Sequence, residues 1–493
     1  MKALNFGERV AEEERDDLIH YFVATDLWNR LVNGEIDIVY GAKGSGKSAL
    51  YTLLIANNSE LFDRNILLVT AENPRGAPAF QGLIPDPPTT EDEFRGLWKL
   101  YLATLIDSVC RDYGIKTSAG DALHTALANA KLIPADKRLA SMLRTVAEYV
   151  KGAMRPESVG IEVTIDSLSG LPAGFAGKIT FHEPSSEARK RGFQSVDSIL
   201  RLADSVLSET DMRVWVVLDR LDVAFAESPD LEKHALRALF TVYLDLLAYE
   251  CIVLKIFLRS DIWSRITSEG FREASHITRH STISWDRLSL MKLIAERAVQ
   301  CREFCEFYGT DPTTVRRLSN EQEKLFYRMC PSQVDIGPNK AKTFEWILGR
   351  TRDGSGDNAP RELIHFMNSL RNEQVRRLDA GEALPEAEML FGRASFKNAL
   401  PEVSRVRLEQ TLYAESPALK EHLEKLRGEK TRQTGSSLAA LWECTEAEAH
   451  QIARTAVEVG FFEARGDKNS PDYWVPFLYR DALGLVQGTA DTA

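Results

Sequence analysis

Gly41-Ala42-Lys43-Gly44-Ser45-Gly46-Lys47-Ser48 is the stretch that decides how this chain folds. It fits the pattern G-x-x-x-x-G-K-[ST], a loop that cradles phosphates. The apolar run Ile36-Asp37-Ile38-Val39-Tyr40 precedes it, and Ala49-Leu50-Tyr51-Thr52-Leu53-Leu54-Ile55 follows with a helical pattern. Strand, glycine-rich loop and helix are the setting the pattern requires. Successive N–H groups turned inward make an anion nest, and the helix N-terminus adds its positive end. Lys47 supplies a point charge for the β- and γ-phosphates, and the Ser48 hydroxyl is placed to ligate Mg²⁺. Gly41, Gly44, Ser45, Gly46, Lys47, Ser48 and Ala49 are therefore the expected nucleotide-binding residues.

A phosphate loop needs a metal partner elsewhere in the chain. The most apolar run, Arg213-Val214-Trp215-Val216-Val217-Leu218, ends in Asp219. A buried strand that delivers a carboxylate at its C-terminal edge places it where open α/β sheets bind ligands. Asp219 is the expected partner of Ser48 in the Mg²⁺ shell. Asn65–Thr70 and Ile252–Leu258 read as further strands, and Glu91–Cys110, Ser195–Thr210 and Asp230–Tyr249 as helices between them. Apolar runs alternating with helices imply a parallel sheet covered on both faces. The fold class expected is α/β, a nucleotide-binding core followed by a helical lid and a smaller C-terminal domain.

Three more polar residues stand at informative positions. Asp222 closes Asp219-Arg220-Leu221-Asp222, Arg259 ends the run Phe257-Leu258-Arg259, and Arg361 opens a helix behind Pro360. Taken with the phosphate loop, with Trp285-Asp286-Arg287-Leu288-Ser289-Leu290, and with the opening Phe6–Glu12 and Tyr21–Thr25, they resemble the STAND and KAP-like branch of bacterial P-loop ATPases, close to AAA+ proteins. The resemblance covers roughly residues 1–110 and 190–375, together with the C-terminal tail described below.

That resemblance implies an Mg²⁺-dependent ATPase switch that oligomerises with ATP, in a group rich in regulatory and bacterial defence proteins. Lys47, Asp222 and Arg259 would be its catalytic residues. Relatives carry a glutamate directly after the metal aspartate, whereas this chain has Arg220 there. Asp222 is the nearest acid, and it either orients the attacking water or caps the following turn. Slow hydrolysis is expected from that departure, and a scaffold that binds ATP without cleaving it is a third reading. Arg259 either senses the γ-phosphate, in its own subunit or a neighbour's, or forms an ion pair with Asp219, Asp222 or Asp261. Arg361 either contacts the phosphates from the lid or is a surface arginine.

The 493 residues allow two to four domains of about 100–200 residues each. The expected division is a helical lead-in at 1–33, the P-loop core at 34–284 with an insertion at about 111–183, a lid at 285–400 and a winged-helix-like domain at 401–493. In the insertion, Val159–Ile165 and Gly177–His182 could pair as a hairpin. In the last domain, helical patterns at Leu419–Leu426, Ser436–Trp442 and Thr445–Val459 precede strand-like runs at Gly460–Arg465 and Tyr473–Val475.

Such a domain can read nucleic acid, but its third helix carries Glu446, Glu448 and Glu458, and the chain's net charge is −11. A protein contact or an intramolecular role is favoured over nucleic acid. The basic residues Lys420, Lys425, Arg427, Lys430 and Arg432 read most simply as a solvated helix face. Expected partners are further copies of the chain and an effector on a separate chain. No membrane partner is expected, because Asp245, Glu250 and Lys255 interrupt the longest apolar stretch, Leu239–Leu258. The start lacks a secretory apolar segment, so the cytoplasm is the expected location. Six scattered cysteines, with Cys301 and Cys305 four apart, and His276 with His280, give no metal-site spacing.

Overall fold

The computed structural model describes residues 1–8, 25–71, 87–136, 138–154, 178–221, 228–268, 270–385, 388–467 and 470–490. The chain divides into two units. One comprises Thr25–Ala42 and Lys47–Ile283; the other comprises Met1–Ala24, Lys43–Gly46 and Ser284–Ala493.

The first unit is built on a five-stranded sheet. Its elements are β1 (Ile38–Gly41), α1 (Lys47–Ala56), β2 (Ile66–Thr70), α2 (Glu91–Asp112), α3 (Val196–Ser208), β3 (Arg213–Leu218), α4 (Pro229–Leu246), β4 (Ile252–Arg259) and β5 (His280–Thr282). The strand order is β2-β3-β4-β1-β5, and every pairing is parallel. β4 lies between β1 and β3, with Gly41 in register with Arg259 and Leu218 with Ile256. The C-terminal ends of β1, β3 and β4 therefore meet on one edge.

Strands this apolar are buried on both faces, which is what parallel pairing with helical crossovers demands. α2 is covered almost all round. Thr90 caps it by accepting from Glu93 N, and acids fill its first turn. Its Trp98 donates to Ala235 O of α4 at 2.9 Å, and Tyr101 donates to Ala71 O at 2.8 Å, so both large rings are buried with their polar atoms satisfied.

The sheet carries a buried ion pair. Lys255 of β4 is fully buried, its Nζ 2.9 Å from Asp37 Oδ1 and 4.3 Å from the Trp215 ring centre. Asp37 Oδ2 also accepts from Arg279 Nε at 2.6 Å and Tyr243 OH at 3.2 Å. Burial pushes the Lys255 ammonium below its ordinary range, and Asp37 opposes that shift. The ion is tolerated because its partners replace water.

In the insertion, Ser118–Asn129 and Leu139–Met154 are helices. The run Val159–Ile165 lies outside the described residues, so the expected hairpin is not described. What is described is a short parallel pairing of Ile179–Thr180 with Gln194–Ser195.

The second unit is largely helical. It includes α5 (Arg287–Ala298), α6 (Pro360–Asp379) and α7 (Arg393–Val406), followed by a π-helical turn, Arg407–Leu412. Then come α8 (Pro417–Glu424), β6 (Lys430–Gln433), α9 (Gly435–Trp442), α10 (Glu446–Glu458), β7 (Glu463–Gly466), β8 (Pro471–Trp474), α11 (Phe477–Leu483) and β9 (Val486–Thr489). β7 and β8 form the antiparallel hairpin of a winged helix, within a sheet ordered β9-β6-β8-β7. β6, α11 and β9 were not foreseen. Lys430 and Arg432 lie on β6, which corrects their reading as part of a helix face.

The chain's first residues also depart from expectation. Residues 9–24 of the lead-in lie outside the described residues, and its described helix is Asp26–Val32. Met1–Glu8 is not helical. Leu4 and Phe6 belong to the apolar core of the helical unit, alongside Leu290, Ile294, Leu363 and Met367. Phe6 N donates to Asn368 Oδ1 at 3.1 Å, Asn368 Nδ2 donates to Gly7 O at 2.7 Å, and Arg297 donates to Phe6 O.

All six cysteines are free thiols, and Cys301 is the residue before a helix (Arg302–Tyr308) that contains Cys305. Among the described residues no cluster of His, Cys, Asp and Glu could hold a metal by itself. Among them, too, no helix is long and apolar enough to cross a membrane.

Candidate nucleotide site

In the sheet unit, β1 ends at Gly41 and α1 begins at Lys47. Lys47 Nζ donates to Gly41 O at 2.9 Å and to Ala42 O at 3.0 Å, so its ammonium is curled back over the start of the loop. Ser48 Oγ donates to Asp219 Oδ2 at 3.0 Å, joining residues 171 positions apart in the chain. Asp219 follows β3 directly and is only 4% exposed. The backbone turns sharply after it: Arg220 has φ +59°, a left-handed conformation that costs most side chains energy.

Arg259, at the end of β4, grips Asp261 with two bonds, Nε to Oδ1 at 3.0 Å and Nη2 to Oδ2 at 2.7 Å. Burial alone would raise the Asp261 carboxyl. The Arg259 hydrogen bond and charge outweigh burial and hold it below the usual carboxylate range. Of the three ion pairs considered for Arg259, the one with Asp261 is formed. Asp222 lies outside the described residues.

The middle of the loop, Lys43–Gly46, groups with the helical unit. Gly44 has φ +76° and Gly46 φ +103°, both left-handed. A Cβ on Gly44 would stand 3.2 Å from Arg361 Cβ, 3.4 Å from Ala359 Cβ and 3.6 Å from Glu362 Oε2, whereas one on Gly46 would meet nothing within 4 Å. The start of α6 thus leans directly on the loop at Gly44, where a Cβ would be a tight fit.

Trp285 donates its indole N–H to Ser45 O at 2.7 Å, and Lys43 pairs with Glu415. The Ser45 side chain is buried, and its Oγ has no hydrogen-bond partner among the described residues. Within the sheet unit, a lysine and a serine–aspartate pair at the strand edge are groups that suit a metal-bound polyphosphate.

Sequence reasoning did not find Trp285, Glu415 or Glu362 as neighbours of the loop. Only Trp285 and Glu362 lay in stretches already singled out, and neither carried a chemical signal of its own.

No protein-family model matches the chain, and no curated protein matches it. Solved structures show a distant likeness. A Walker-type ATPase of Pyrococcus abyssi has 12% identity and a TM-score of 0.39, covering 95% of this chain and 95% of that one. The Aeropyrum pernix ORC1 protein in complex with DNA has 12% identity and a TM-score of 0.36, covering 93% and 91%. Cdc6p of Pyrobaculum aerophilum has 12% identity and a TM-score of 0.30, covering 95% and 92%. At such identities and scores the likeness assigns neither activity nor ligand to this chain. These structures lend no support to the STAND and KAP branch.

Proposed function

We propose that this chain is a P-loop ATPase switch of AAA+ type. The observation that carries the reading is the 3.0 Å contact of Ser48 with Asp219, formed beside Lys47 where the loop meets the sheet edge. Mg²⁺ would be held by Ser48 and Asp219, and when bound it would neutralise charge between the β- and γ-phosphates. The Gly44–Gly46 backbone and the Ser45 hydroxyl would bind phosphate oxygens. Lys47 would exchange two carbonyl partners for charged oxygens, a stronger class of bond. Arg259 and Arg361 are the proposed phosphate sensors, and Asp222 is the proposed residue that orients water. With Arg220 in the position after Asp219, turnover is expected to be slow.

Assembly with ATP, a regulatory or defence role and a separate effector chain remain part of the proposal, on the strength of the motifs alone. So does the working division into a lid at 285–400 and a winged-helix domain at 401–493.

A nucleic-acid-associated ATPase is the second reading. One feature favours it: Trp474 on the β8 hairpin strand lies 4.6 Å from the Arg465 guanidinium and 5.6 Å from that of Arg432. Against it, Arg432 is paired with Asp472 and Arg465 with Glu463, so this patch carries little net positive charge.

The test is size measurement with and without Mg·ATP, with phosphate release and DNA or RNA binding read on the same sample. Growth in size with ATP and slow turnover would support the switch. Salt-sensitive nucleic-acid binding would favour the second reading. Tight ATP binding without phosphate release would indicate a scaffold.

A further inference from the structure

Beside the phosphate loop lies an acid that should repel its ligand. Glu362 Oε2 is 3.6 Å from the Cβ position of Gly44, is buried, and has no hydrogen-bond partner among the described residues. Its other oxygen, Oε1, accepts from Arg407 Nη1 at 2.9 Å. Arg407 is only 8% exposed and sits in the π-helical turn after α7. The same guanidinium reaches two further groups: Tyr479 OH of α11, 3.3 Å from Nε, and Asp353 Oδ2, 3.6 Å from Nη2.

Asp353 begins a loop seated on the winged helix. Gly354 N donates to Gly460 O at 2.7 Å, and a Cβ on Gly354 would collide with Phe462 O. One buried cation therefore joins the acid at the phosphate loop to the C-terminal domain.

We propose that Arg407 is a positioning residue. It neutralises Glu362 beside Gly44, and Tyr479 and Asp353 hold it there, so that nucleotide affinity depends on how the winged helix is seated. The physical basis is that a carboxylate paired with a cation presents little net charge to a neighbouring anion, whereas the same carboxylate without that partner is an unfavourable neighbour for a triphosphate in a region of weak screening. The π-helical turn adds a residue to the helical path and re-aims the chain at this point. The proposal rests on the loop binding nucleotide.

The experiment measures Mg·ADP and Mg·ATP affinity of the full chain, with the melting temperature in the absence of nucleotide. Arg407→Met is expected to weaken binding by about tenfold or more, the scale of an uncompensated charge near an anion. Arg407→Met with Glu362→Gln is expected to recover most of that loss, a rescue that a purely structural role for Arg407 would not give. Tyr479→Phe is expected to weaken binding by a few-fold in the wild-type background and not at all beside Glu362→Gln.

A folded Arg407→Met of unchanged affinity, or no recovery with Glu362→Gln, overturns the proposal. If Arg407→Met does not fold, the Tyr479→Phe and Glu362→Gln cycle decides it, with additive effects counting against. A wild-type chain that binds no nucleotide overturns both this proposal and the ATPase reading. Variants indistinguishable from a nucleotide-binding wild type overturn this proposal alone.

Discussion

Gly44 and Arg361 approach each other as closely as their side chains allow: the Cβ that Gly44 lacks would stand 3.2 Å from Arg361 Cβ. The backbone of Gly44 is also left-handed, at φ +76°. Two independent constraints thus fix glycine at this position, where the sequence pattern alone requires none.

A comparison with Gly46 separates those constraints. Gly46 is left-handed too, but a Cβ there meets nothing within 4 Å. Gly46→Ala is expected to cost about 1–2 kcal/mol, the backbone penalty by itself. Gly44→Ala should cost more, because Arg361 and Ala359 must also move. Chemical denaturation of both variants checks the order, and equal costs would mean that the close approach at Gly44 is relieved without strain.

Phe6 contributes to the helical unit from the far end of the chain. Its ring is fully buried, and Asn368 holds the backbone on both sides of it. Phe6→Ala is expected to destabilise that unit by about 3–5 kcal/mol, the usual range for emptying an aromatic site. A thermal melt should show the loss, and removal of residues 1–8 should reproduce it.

Stability should carry a pH signature from Asp353. Burial pushes its carboxyl up to about 6, an effect only partly offset by Arg407. The folded chain then keeps a proton that the unfolded chain gives up near the ordinary aspartate value of about 4. This group's contribution is complete below that lower value and is lost as pH rises through about 6. Asp353→Asn cannot lose a proton. Its melting temperature relative to wild type should therefore climb as the pH goes from 4 to 7. A constant difference across that range would show that Asp353 titrates normally.

Asp222→Asn separates binding from turnover. If Asp222 orients water, the variant should hold ATP as tightly as wild type and release no phosphate. Unchanged turnover would leave Asp222 as a turn cap.

What could be read from the sequence follows from how far each signal reaches along the chain. The runs around Val39, Val216 and Leu254 show as strands because parallel strands buried on both faces must be continuously apolar. Asp219 was legible for the same reason, as the first polar residue after such a run. The order of the strands was not. That β4 lies between β1 and β3 and sets Arg259 opposite Gly41 depends on crossovers, which leave no local pattern.

β6 and β9 were missed because Lys430–Gln433 and Val486–Thr489 are short and mostly polar, and are held by pairing with each other and, for β6, with β8. Lys255 interrupts an apolar run on paper, yet in the fold it is fully buried against Asp37, a residue 218 positions away. Glu362 and Arg407 carry no local signal of their pairing, because tertiary structure brings together residues 45 positions apart.

The most direct test of the central claim is a calorimetric titration of Mg·ATP into the wild-type chain and into Lys47→Ala. The account predicts saturable binding to the wild type and a loss of about a hundredfold in the variant, as expected when a charged hydrogen-bond donor to phosphate is removed. Equal affinity in the two proteins would contradict it.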